Sequence, residues 1–195
     1  MAASGKLVLI IGPSGVGKSV LLKRLKEQHP ELVFPRSATT RQRRPKEGDD
    51  LYQFVDDGAF DGLIRDDKLL EWAQVHGGAR YGTLKSEILT PIEEGKIVVR
   101  EVDVQGFESL RAHPLFSGSA PAYPLESIFI LPENKEQLVQ RIKRRDAAIS
   151  DDELQRRIRS MDAELAKAEL CTAAIRNVEG KLQDTLKEVE RIIFA

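Results

Sequence analysis

The segment Gly12-Pro-Ser-Gly-Val-Gly-Lys-Ser19 constrains this chain more than any other part of it. It fits G-x-x-x-x-G-K-[ST] at every position, and it follows the apolar run Lys6-Leu-Val-Leu-Ile-Ile11, which reads as a buried strand. Residues 18–28 then read as a helix, with Val20, Leu21, Leu22 and Leu25 on its inner side. The order strand, glycine-rich turn, helix has a physical purpose. Gly12, Gly15 and Gly17 allow successive backbone N–H groups to turn inward, and the helix that follows contributes unpaired amides and the positive end of its dipole. Lys18 is placed to reach β- and γ-phosphates, and the Ser19 hydroxyl to ligate Mg²⁺. An ordinary glycine-rich turn is the competing reading, and it does not account for every position being filled in this context. The loop from Gly12 through Pro13, Ser14, Gly15, Val16 and Gly17 to Lys18 and Ser19 is therefore expected to hold a nucleoside triphosphate.

The rest of the chain suits that core. Its 195 residues match one domain, and 41% hydrophobic residues suffice for a packed interior. Thirty basic against 31 acidic residues leave a net charge of −1, which argues against a general nucleic-acid binder. No run approaches the ~20 apolar residues of a spanning helix, and the N-terminus lacks a signal-peptide pattern. Cys171 is the single cysteine, so an intrachain disulfide is excluded and a reducing, cytoplasmic setting is expected, with no membrane partner. Apolar runs at 97–104, 127–131 and 174–177, with a final helix over 181–194, alternate in the manner of an α/β fold with a mostly parallel sheet flanked by helices. Between 37 and 91, short strand-like pieces (52–55, 69–76, 80–83) surround a helix at 56–65, which predicts an inserted antiparallel β region. The stretch 141–159 is rich in charge and poor in large apolar residues, as a weakly anchored, mobile helical lid would be. The expected organisation is one domain over 1–195. Its core covers about 1–36, 92–137 and 161–195, the insertion about 37–91 and the lid about 138–160.

Two features of the insertion suggest a second substrate. Arg41, Arg43 and Arg44 lie within four positions, with Tyr52 eight residues beyond Arg44. A charge run is usually a solvated face, but beside a triphosphate site it equally suits a clamp for an acceptor that carries its own phosphate. Glu71 sits in an otherwise apolar strand beside Trp72, the only tryptophan. A buried carboxylate needs donors, and guanine offers N1–H and N2–H₂ together whereas adenine does not. Strand alternation equally permits Glu71 to face solvent. Glu101 and Asp103, two apart at a strand end, could hold metal-bound water or reach the acceptor base.

Taken together, GPSGVGKS, the Ser37-Ala-Thr-Thr-Arg41 run with Arg44, Tyr52, Glu71-Trp-Ala, Tyr81-Gly-Thr83, Asp103-Val-Gln-Gly106 and Ala163-Glu-Leu165 resemble the guanylate kinases in order and spacing across nearly the whole chain. The resemblance implies ATP-dependent phosphorylation of GMP, and of dGMP, to the diphosphate in purine nucleotide metabolism, with Mg²⁺ as cofactor. It implies that Ser37, Glu71, Thr83 and Asp103 contact the base and that Arg41, Arg44, Tyr52 and Tyr81 contact the acceptor phosphate. It implies lid arginines at Arg141, Arg145 (or its neighbour Arg144) and Arg157, catalytic together with Lys18 and Arg41. It also places Asn177 near the adenine and Glu101 near the metal, and suggests a monomer or weak homo-oligomer. Two other readings stand beside it: a non-catalytic protein-binding module of the same fold, and a P-loop kinase acting on a phosphorylated sugar. The sequence departs from the family pattern at Arg100-Glu101, where an apolar residue and Asp are usual. A buried arginine there would be costly without a partner, and the sequence names none.

Overall fold

An apolar strand with no alternation must be covered on both faces, and Lys6–Ile11 (β1) is buried from Leu7 onward. The computed structural model describes residues 5–43, 47–48, 50–74, 78–145 and 150–195, without the side chains of Arg145, Asp151, Glu153, Arg157 and Ser160. After β1 come Lys18–Gln28 (α1), Ser37–Thr39 (β2), Tyr52–Phe54 (β3), Asp57–Arg65 (α2), Leu69–Gln74 (β4), Arg80–Leu84 (β5) and Lys85–Glu93 (α3). Then follow Ile97–Glu101 (β6), Val104–Ala112 (α4), Leu125–Pro132 (β7), Lys135–Arg145 (α5), Asp151–Ala166 (α6), Ala173–Asn177 (β8) and Leu182–Ile193 (α7). A parallel sheet of order β6-β1-β7-β8 and a second sheet of order β3-β2-β5-β4 organise them. No described helix is long and apolar enough to cross a membrane.

The chain divides into two units. The first comprises Met1–Leu7, Glu31–Arg100 and Gln105–Leu125, and contains the second sheet. There β5 runs antiparallel to both β2 and β4, while β3 runs parallel to β2. The insertion is thus a mixed sheet rather than a wholly antiparallel one. The twelve residues 40–51 supply the crossover length that a parallel pair needs. Behind the sheet lies α2, capped by the Asp56 carboxylate, which accepts from Ala59 N at 2.7 Å. Its Phe60 is fully buried with Ala38, Leu69 and Leu84. A Cβ at Gly82 would lie 2.8 Å from Leu69 Cδ1 of β4 and 3.2 Å from Phe60 Cζ of α2, so both side chains close over a strand position that carries none. Arg80 of β5 pairs with Asp57 and Asp61 of α2 and lies 4.7 Å over the Phe60 ring.

Arg36, just before β2, donates to Glu87 of α3 through Nη2 (2.8 Å), Nε (3.3 Å) and its backbone N (3.2 Å). Partial burial pushes the Glu87 carboxyl up, but the hydrogen bonds from Arg36 outweigh that and hold it below its ordinary value. A depressed carboxyl pKa adds stability above the unfolded pKa of about 4.3, and that stability is lost as pH falls through the folded value. Arg36→Ala should therefore cost roughly 0.5–1.5 kcal/mol at neutral pH. Thermal unfolding of variant and parent should converge in acid, and an equal gap at pH 7 and pH 3 would refute the coupling.

The second unit comprises Val8–Pro30, Glu101–Val104 and Glu126–Ala195. Its core holds Leu9, Ile10, Leu21, Leu25, Phe129, Ile130, Ile175, Leu186, Val189 and Ile193, all buried. The stripe of α1 is Leu21 and Leu25, an i,i+4 pair. Val20 is 54% exposed, contrary to its expected inward placement, because one residue turns the helix by about 100°. The 97–104 strand ends at Glu101, and α4 begins at Val104. The stretch 141–159, expected to be weakly anchored, nonetheless contributes Ile142 of α5 and Leu154 of α6 to buried positions.

Candidate active site

In the second unit the glycine-rich loop is fixed by what surrounds it. Gly12 has φ 148°, and a Cβ there would lie 2.5 Å from the Ile130 carbonyl of β7. Gly17 has φ 108°, and its Cβ would lie 2.6 Å from Asn177 Nδ2. Both positions exclude a side chain by space and by conformation. Asn177, at the end of β8, donates from Nδ2 to the Val16 carbonyl (2.8 Å) and accepts from Thr185 Oγ1 of α7 (3.1 Å). Arg141 of α5 donates to the same carbonyl from Nη1 (3.3 Å) and pairs with Glu179 at 3.8 Å. The loop apex is thus braced from two elements. Asn177 and Arg141, which the resemblance places near the adenine and in the lid, both donate to the Val16 carbonyl here. The helix α1 starts after Gly17 without a side-chain cap, the arrangement in which first-turn amides can serve an anion.

Lys18 is 9% exposed. Its Nζ donates to the Gly12 carbonyl (2.6 Å) and the Pro13 carbonyl (3.2 Å) and pairs with Glu101 at 3.6 Å. Burial pulls its pKa below the usual lysine value, and Glu101 opposes that pull. Ser19 Oγ donates to Glu101 Oε2 at 3.4 Å. Asp103 is exposed in the link between β6 and α4, where its charge also acts on Lys18. Ser19 and Glu101 are hard oxygen donors that suit Mg²⁺. No group of three or more acidic, His or Cys side chains able to hold a metal occurs among the described residues. A metal that keeps waters and shares phosphate oxygens fits this donor set better than one needing a protein cage.

In the first unit the strand registers line up the remaining candidates. Tyr52 pairs with Ser37, Ser37 with Thr83, and Thr83 with Glu71, so these four form one row across β3, β2, β5 and β4. The next row on the same face runs Phe54, Thr39, Tyr81 and Ala73. At the β3 end, the Arg41 guanidinium lies 5.3 Å from the Tyr52 ring centre and 5.4 Å from that of Phe54. Tyr52 and Tyr81 meet edge to face at 5.8 Å. Arg41 donates to Glu47 at 2.7 Å, a bond that raises its pKa, so this end already binds an anionic group. Arg43 lies 4.4 Å over the Phe54 ring. Arg44 lies outside the described residues, as do the side chains of Arg145 and Arg157.

At the β4 end, Glu71 accepts from Thr83 Oγ1 and is 16% exposed. A bulge decides its direction. Leu69 pairs with Leu84 and Glu71 with Thr83, so two steps of β4 match one step of β5. Leu69 packs with Phe60 and Leu84 behind the sheet. Unbroken alternation from Leu69 would send Glu71 to that apolar side, and the extra residue turns it to the face of Ser37 and Thr83. Trp72 consequently does not accompany Glu71. It sits on the opposite side, 46% exposed, edge to face with Phe60 at 6.2 Å.

Arg100 was not foreseen as a site residue. Val33 pairs with β6, donating to Ile97 O at 3.0 Å and accepting from Val99 N at 2.8 Å, and this brings Ser37 alongside Arg100. Arg100 Nη2 donates to Ser37 Oγ at 3.1 Å and lies 3.9 Å from Glu71 Oε1. Burial drives its pKa down, with the Glu71 charge and then Tyr52 acting against it. A lone arginine in an apolar strand was the available clue.

Comparison with known proteins follows the same lines. A family profile described as guanylate kinase matches residues 4–195. A guanylate kinase of Leifsonia xyli is 42% identical over 164 residues, 82% of this chain but 60% of that protein, so the chain spans less than two thirds of that relative. One from Thermosynechococcus vestitus is 37% identical over 98% of this chain and 94% of its own length. In structure, the chain is similar to a guanylate kinase from Anaplasma phagocytophilum with a TM-score of 0.67 at 24% identity, covering 98% of this chain and 86% of that one, a likeness of fold.

Proposed function

The chain belongs to the guanylate kinase family and is a kinase, and from that premise we propose that it transfers the γ-phosphoryl group of ATP to GMP, and to dGMP, with Mg²⁺ as cofactor. The observation that carries this reading is the row Tyr52, Ser37, Thr83, Glu71. One end of it gathers cationic and phenolic donors around Arg41, and the other presents a carboxylate. The ends are three strand spacings apart, about 14 Å, which suits a nucleoside monophosphate laid across the strands with side chains reaching in from both sides. Arg41, Tyr52, Tyr81 and Arg44 would take the phosphate. Glu71, Thr83, Ser37 and Asp103 would take the base.

An acceptor that is itself an ionised phosphate needs no dedicated general base. The difficulty is bringing two anions together. Unit charges ~5 Å apart repel by about 3 kcal/mol at an effective dielectric near 20, and several such pairs accumulate. Lys18, the loop amides, Arg41, Arg44 and the lid arginines Arg141, Arg145 and Arg157 offset that repulsion and favour an in-line transition state. Mg²⁺, held by Ser19 and through water by Glu101, would neutralise charge on the β- and γ-oxygens. The braced Val16 carbonyl keeps the amide cradle formed before substrate arrives, so no reorganisation is needed at the moment of reaction. The lone cysteine and the family's nucleotide substrates accord with a cytoplasmic enzyme, monomeric or weakly self-associating.

A coupled assay with ATP and a panel of GMP, dGMP, AMP and a ribose bisphosphate tests the reading. Only the two guanine nucleotides should turn over efficiently. Preference for AMP or the phosphosugar would replace the acceptor, and no ADP formation with any of them would favour the non-catalytic module.

A further inference from the structure

Arg100 is 8% exposed, and its Nε has no hydrogen-bond partner among the described residues. Leaving a guanidinium donor unpaired in such a place is costly, so the site asks for an acceptor that the protein's described residues do not supply. The neighbouring hydroxyls differ in what they have left to give. Thr83 spends its proton on Glu71. Ser37 accepts from Arg100, which leaves its own O–H free to donate outward. Beside the acceptor Glu71 there are therefore two donors, the Ser37 hydroxyl and the Arg100 guanidinium. This pattern complements the edge of a 6-oxopurine, where the N1–H donor adjoins the O6 acceptor. Adenine reverses both groups, offering an acceptor at N1 and an amino donor at C6.

We propose that Arg100 is a specificity-determining residue that reads the C6 carbonyl of the acceptor base, itself and through the Ser37 hydroxyl it orients, while Glu71 reads N1–H and the 2-amino group. The inference rests on the proposed use of GMP as acceptor and adds a second, separable criterion to it. An apolar residue at this position would leave the choice of base to the carboxylate side alone. With Arg100, a C6 amino group meets a buried positive charge, which rejects adenine by repulsion as well as by missing bonds.

The criteria separate on nucleotides that differ at one position. GMP and IMP share O6 and differ only in the 2-amino group, whereas AMP lacks O6. Arg100→Met should lower kcat/KM for GMP and for IMP by the same factor, about 10- to 100-fold, as for loss of a good arginine–base contact. The GMP:IMP ratio should stay as in the parent, and AMP should hold or rise. An equal fall for all three would mean that Arg100 is only structural. A fall confined to GMP would mean that it serves the Glu71 contact, and either result overturns the assignment. Should the methionine variant fail to fold, Arg100→Lys keeps the charge without the planar fork and should still lose about 10-fold in GMP:AMP preference. An unchanged preference in that variant overturns the assignment equally. The parent enzyme's own GMP:AMP ratio tests the acceptor reading separately, since a parent that prefers AMP refutes guanine recognition before any variant is made.

Discussion

Lys18→Ala should abolish phosphoryl transfer, lowering kcat/KM by at least about 10²–10³-fold, the usual loss for one donor aimed at transition-state charge. The expectation comes from where the ammonium is held. Its Nζ lies against the carbonyls of Gly12 and Pro13 and near Glu101, at 9% exposure, so it is already desolvated at the rim of the cradle. A charge stripped of water interacts with phosphate far more strongly than a solvated one. The fold should survive the change. The variant frees two loop carbonyls, each worth about 1 kcal/mol, and removes a charge that burial disfavours. Melting should move by about 2–4 °C or less. Circular dichroism and a coupled ATP/GMP assay on the same preparation check both halves. A variant that stays within about tenfold of the parent would separate this lysine from the chemistry.

That site was legible because the motif that marks it is local. Strand, loop and helix occupy residues 6–28 without interruption, whereas the braces on the loop from Asn177 and Arg141 come from far along the chain and could not be read in advance. The acceptor face was only half legible. Ser37, Tyr52, Glu71 and Thr83 could be named, but their sharing one row depends on register across four strands. The direction of Glu71 turns on a single bulge at Leu69–Glu71, and no alternation count reveals a bulge before the pairing is known. For the same reason Trp72 was grouped with its neighbour when the pleat sends it to Phe60. Arg100 was a conspicuous residue with an invisible partner, because Ser37 lies 63 positions away. The strand β2 has three residues, too few to show a period, and α4 carries only two buried apolar side chains, Phe107 and Leu110. Elements so weakly marked locally are held by their surroundings.

For Glu71→Gln, kcat/KM with GMP should fall by about 10²–10³-fold while AMP stays level or improves. A carboxylate accepts from N1–H and N2–H₂ at once, and hydrogen bonds to a charged acceptor contribute about 1.5–3 kcal/mol each. The amide keeps one acceptor and turns the other end into a donor, which would face a donor of guanine but an acceptor of adenine. The substitution also removes the charge that Arg100 Nη2 meets at 3.9 Å. Taking one partner from a buried pair leaves the other uncompensated, so the variant should melt below the parent. Lower stability alone would scale down the turnover of every substrate together. The GMP:AMP ratio is indifferent to the amount of folded enzyme and is the quantity to measure, at a temperature where circular dichroism shows the variant folded. If that ratio matches the parent's, Glu71 does not read the base, whatever happens to the melting point. If it collapses while the GMP:IMP ratio falls with it, the carboxylate reads the 2-amino side, the counterpart of the C6 side assigned to Arg100.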